Sequence, residues 1–90
     1  MDFTGVTTNL PTEILNHNRL EIQRLTLLRN AMHQQGADPA HLQLYDVLIY
    51  LNSTMITLGE EPLSHAGLVA MLETSFSIRT TWAALNVHYD

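Results

Sequence analysis

LQLYDVLIYLNSTMITLG, residues Leu42 to Gly59, is the stretch on which the fold turns. Eight of its first ten residues are apolar or aromatic. The β-branched and aromatic side chains of Tyr45, Val47, Ile49 and Tyr50 would suit a strand, and the polar residues decide against one. Gln43, Asp46, Tyr50, Ser53 and Thr57 step by 3, 4, 3 and 4. On a helix that spacing makes one narrow polar stripe, whereas a strand would scatter the same residues over both faces. Leu44, Leu48, Leu51, Met55 and Leu58 step by 4, 3, 4 and 3 along another face, flanked by Leu42, Tyr45, Ile49 and Ile56. The apolar arc is much wider than the ~100° of an ordinary surface helix. A helix over 39–58, with Gly59 at its stop, therefore belongs between two neighbours.

The flanking segments supply those neighbours. GADPAH, Gly36 to His41, is a boundary: Gly36 ends one helix, Asp38 caps the next and Pro39 takes its first position. Upstream, Pro11 suits a first turn, so the first helix is placed over 11–35. Ile14, Leu15, Ile22, Leu25, Leu28 and Met32 form its main apolar stripe. Leu20, Leu27 and Ala31 form a second stripe on nearly the opposite side, with Arg24 at its edge. Downstream, Ser64 is a good cap, and Leu63 and Leu68 have the spacing of a hydrophobic staple. Leu68, Met71, Ser75, Ile78, Trp82, Leu85 and Tyr89 keep a 3-4 step, which predicts one long helix over 64–87. Weak helix formers in ETSFS, Glu73 to Ser77, allow a break into two shorter helices. Residues 1–9 read as an N-terminal tail and 10–90 as a single helical domain. The expected fold is all-α, an antiparallel three-helix bundle, or four helices if ETSFS breaks.

Composition narrows the chemistry. Ninety residues fit one domain, and there is no Cys for a disulfide or thiolate site. The four basic residues are all Arg, so lysine Schiff-base chemistry and a Gly-Lys-Ser/Thr phosphate loop are excluded. Residues 10–36 hold three Arg against Glu13 and Glu21, net +1. Residues 37–90 hold Arg79 against six acidic residues, net −5. The whole chain also carries −5, which opposes strong binding to a phosphate backbone. Charged residues are only 14% of the chain, under the usual ~25%. No apolar run approaches a membrane span, and the first residues lack the basic start of a signal peptide, so a cytoplasmic protein is expected.

Motifs for catalysis and metal binding are thin. His17 and Glu21 lie four apart, but no second ligand pair stands beside them. The five His read as surface polar residues near helix ends. No nucleophile elbow is present, and the carboxylates are scattered apart from Glu60 and Glu61. No metal, cofactor or enzymatic activity is expected. The segment Ser64–Leu85 has the outline of a DNA-reading helix-turn-helix, with Ser77, Arg79, Thr80 and Thr81 towards a groove. Its single Arg is poor for phosphate contacts. Trp82 and Tyr89 read as core.

The function expected is therefore a non-enzymatic protein–protein interaction module: a small acidic helical regulator, adaptor or inhibitor that also self-associates as a homodimer. A lone three-helix bundle with a second apolar stripe would leave a patch of the kind that marks binding surfaces. The partner-facing residues expected are Leu20, Arg24, Leu27 and Ala31, the face a two-fold dimer is also expected to use, with Tyr50 as an anchor. Glu60 and Glu61 would steer the chain to a protein with a basic surface. Neither membrane nor nucleic acid is the expected partner. The alternative is a dimeric helix-turn-helix transcription regulator using residues 64–85.

Overall fold

The computed structural model describes residues 12–62 and 64–89, with side chains described for 13–62 and 64–86. The expected tail, Pro11, and the Leu63 half of the staple lie outside the described residues. Three helices account for nearly all the rest: α1 (Thr12–Gln34), α2 (Pro39–Glu60) and α3 (His65–Tyr89). Among the described residues there is no strand.

Local chemistry explains the helix ends. Gly36 takes φ +80, the left-handed conformation that glycine adopts without a Cβ penalty. The Gly36 N–H then donates to the His33 carbonyl at 3.1 Å and the Ala37 N–H to the Met32 carbonyl at 3.0 Å. These two bonds satisfy carbonyls that the end of α1 would leave open. Asp38 caps α2 by accepting from the Ala40 N–H at 3.3 Å, with Pro39 in the first turn. The Ser64 hydroxyl accepts from the Gly67 N–H at 3.0 Å and caps α3.

The end of α2 differs from expectation. The helix runs through a buried Gly59 to Glu60 and stops at Glu61, whose backbone is extended (φ −80, ψ 154). Pro62 is the reason, because a proline pushes the preceding residue out of the helical region. Gly59 is thus a packed helix residue, and Glu60 lies in the last turn of α2. The other departure from ambiguity is α3, which continues unbroken through Glu73–Ser77. The Thr74 and Thr81 hydroxyls donate to the carbonyls of Ala70 and Ser77 at 2.7 Å, bonding within the helix rather than interrupting it. Among the described residues no fourth helix forms, and no turn interrupts His65–Tyr89 where a helix-turn-helix would need one.

The core draws on all three helices. Leu25 of α1, Leu48 of α2 and Leu85 of α3 are fully buried and cluster with Tyr45. Each such side chain contributes roughly 1.5–3 kcal/mol relative to exposure. Met32, Leu44, Ile49, Ile78 and Trp82 pack around them. Among the described residues α2 contacts both α1 and α3, while the Cα atoms of α1 and α3 nowhere come within 8 Å of each other. The wide apolar arc of α2 is explained by this middle position. Its polar stripe, Gln43, Asp46, Tyr50, Ser53 and Thr57, is exposed throughout.

The outer helices bury less than their stripes suggest. Leu15 and Leu25 are buried and Ile22 and Met32 half-buried, but Ile14 and Leu28 stay exposed. On α3, Met71 and Leu85 are buried, Ser75, Ile78 and Trp82 half-buried, and Leu68 exposed. An outer helix has one neighbour, so part of its main stripe remains in water. No described helix is long and apolar enough to cross a membrane.

Candidate interaction surfaces

The second stripe of α1 points away from the core. Leu15, Asn18 and Leu25 face inward, and the 100° step of a helix carries Leu20, Leu27 and Ala31 to the far side. Leu27 is 71% exposed and Leu20 57%, and Ala31 is exposed as well. Arg24 lies at the edge of this face, where Glu21 holds its guanidinium at 2.9 Å. The four α1 residues singled out from sequence therefore share one exposed apolar face with a locally neutralised rim.

The remaining singled-out residues lie elsewhere. Tyr50 is 70% exposed on the polar stripe of α2, a large ring among Asp46, Ser53 and Thr57. Glu60 accepts from Arg19 at 2.9 Å, so its carboxylate ties the start of α1 to the end of α2. Glu61 is exposed in the extended link before Pro62. The two glutamates thus differ: one is already engaged within the chain.

Two features escaped the sequence reading. The first is a stripe on α3, Val69, Leu72 and Phe76, with Leu72 71% and Phe76 67% exposed. Their 3 and 4 steps, opposite Met71, Ile78 and Leu85, are the signal that could have found it. The second is a buried amide pair. Asn18 Nδ2 donates to Asn52 Oδ1 at 2.9 Å, and Asn52 Nδ2 donates to the Leu48 carbonyl at 2.8 Å. Each Asn falls on the inward face of its helix, where a polar residue would need a partner.

Other polar groups lie apart from these surfaces. His17 is exposed, and its neighbour Glu21 binds Arg24. Among the described residues no three His, Asp or Glu side chains gather closely enough to hold a metal ion. His41 departs from its expected surface role: it is buried against Tyr45, ring to edge at 5.6 Å and 76°. It sits in the first turn of α2, just after the interhelical turn. A shallow cleft beside that turn is lined by Arg29, His33, Pro39, Leu42 and Asp46. Arg29 Nε donates to Asp46 Oδ1 at 3.0 Å within it, joining α1 to α2.

No protein-family model, curated protein or solved structure matches the chain.

Proposed function

We propose that this chain is a non-enzymatic interaction module of the cytoplasm: an antiparallel three-helix bundle that regulates or adapts another protein by binding it, and that self-associates. The antiparallel order is supported between α1 and α2 by three cross-links. Arg19, Asn18 and Arg29 reach Glu60, Asn52 and Asp46, so the start of α1 lies by the end of α2.

The observation that carries the functional reading is the exposure of Leu20, Leu27 and Ala31 on the side of α1 away from α2. Among the described residues no neighbouring helix covers this face, and exposed apolar patches mark interaction sites more often than scattered apolar residues do. Arg24 covers its edge with an aliphatic stem while its charge stays wet. Tyr50 offers a rigid amphipathic anchor on α2. Glu61 and the acidic excess of residues 37–90 would attract a partner with a basic surface.

The test compares the wild type with Leu27→Glu as immobilised baits in extract of the native host, read by quantitative mass spectrometry. The expected result is a partner retained by the wild type and lost by the variant, at equal helicity by circular dichroism. Identical retained proteins on both baits would contradict the assignment of the α1 face.

A further inference from the structure

We infer that the outer stripe of α3 pairs with α3 of a second copy, side by side and parallel, about a two-fold axis running along the helices. The inference rests on the interaction-module reading and assigns the self-contact to a different edge from the one offered to another protein.

The occupant follows from charge. Between His65 and Tyr89 the only acidic or basic residues besides His are Glu73 and Arg79. Both are exposed, and among the described residues neither forms a salt bridge. By contrast Arg19, Arg24 and Arg29 of α1 are all ion-paired within the chain. Glu73 precedes and Arg79 follows Phe76 by three residues, so the pair brackets the apolar stripe. By helix geometry they sit about 60° to either side of Phe76 and about 9 Å apart along the axis. Lying on opposite flanks, they do not meet on one helix.

A second copy brings them together in only one orientation. A two-fold axis along the helices carries each flank onto the opposite flank of its mate. Glu73 then shares an edge of the seam with the partner's Arg79, and the same pair recurs at the other edge. An axis perpendicular to the helices leaves each flank on its own side. Glu73 then falls on the same edge as the partner's Glu73, and Arg79 on the same edge as the partner's Arg79, whatever the register. Like charges facing across a seam oppose association. Parallel pairing also stacks Val69, Leu72 and Phe76 on their own counterparts, an isologous contact in which both copies use the same surface. The stripe is short, so the dimer is a weak one, at the small end of interface size.

The full chain tests this directly, by light scattering and sedimentation over a concentration series. The wild type should dimerise, Glu73→Arg and Arg79→Glu should each weaken dimerisation by at least about tenfold, and the double variant should restore it. Circular dichroism confirms folding, and the double variant guards against a trivial loss of structure. Orientation is read by oxidising Leu72→Cys and Ala83→Cys in a chain that otherwise lacks Cys. Parallel pairing cross-links both variants, whereas an antiparallel pair cannot cross-link both. A wild type monomeric to about 1 mM, a double variant no tighter than the singles, or failure of either disulfide would overturn the proposal. Host-protein capture that depends on Leu27 reads the α1 face alone, so the two readings fail separately.

Discussion

The two seams beside α2 are built differently. Between α1 and α2 lie a buried Asn18–Asn52 hydrogen bond and two cross-helix ion pairs, Arg19–Glu60 and Arg29–Asp46. Between α2 and α3 the described side chains form no ion pair, and a polar link there is a long contact of 3.9 Å from the Ser75 hydroxyl to Met55 Sδ. Apolar packing by Ile78, Trp82 and Leu85 does the rest. Directional groups in the first seam penalise any slip of register, since a displaced Asn18 would leave buried amides without partners. Among the described side chains the second seam depends mainly on shape to set its register. The lesson concerns charge as well as order: α1 has its cations engaged at home, while on α3 Glu73 and Arg79 are exposed and, among the described residues, form no salt bridge.

Leu48 touches the core that both seams share, so its truncation gives the largest expected effect. Leu48→Ala should lower stability by about 2–5 kcal/mol, through lost transfer energy and the cavity left behind. Denaturant melts measure it, and a loss under ~1 kcal/mol would mean that α2 is not the middle helix. The next effect isolates the first seam. Asn52→Ala should destabilise by about 1–3 kcal/mol, because Asn18 then stays buried without its acceptor. Replacing both Asn18 and Asn52 with Leu should recover most of that loss, since no amide remains to satisfy. A double variant as unstable as the single would show that the amide pair is not what stabilises the seam.

Much of the fold was legible because its signals are local. Gly36, Asp38, Pro39 and Ser64 declare helix ends through their own backbone and side-chain chemistry. The spacing of polar residues on α2 foretold its middle position, since a neighbour on each side is what a wide apolar arc demands. Where two stop signals competed, at Gly59 and Pro62, the proline won because it restricts its predecessor sterically. The candidate surfaces were half legible. Leu20, Leu27 and Ala31 stood out because α1 showed two stripes. Val69, Leu72 and Phe76 did not, because periodicity identifies apolar faces without telling which of them a neighbour covers. The Asn18–Asn52 bond joins residues 34 apart in sequence, so no local spacing announces it. Glu60 looked free for the same reason: its partner, Arg19, lies 41 positions away.

Hydroxyl-radical footprinting across a concentration series tests the layout and its use together. At low concentration Leu20, Leu27, Tyr50, Leu72 and Phe76 should react, while Leu25, Tyr45, Leu48 and Leu85 stay protected. As concentration rises, protection should spread to Leu72 and Phe76 alone, leaving Leu27 and Tyr50 reactive until another protein is added. Protection that grows at Tyr50 or Leu27 instead, or reactivity at Leu48 equal to that at Leu72, would contradict the arrangement described.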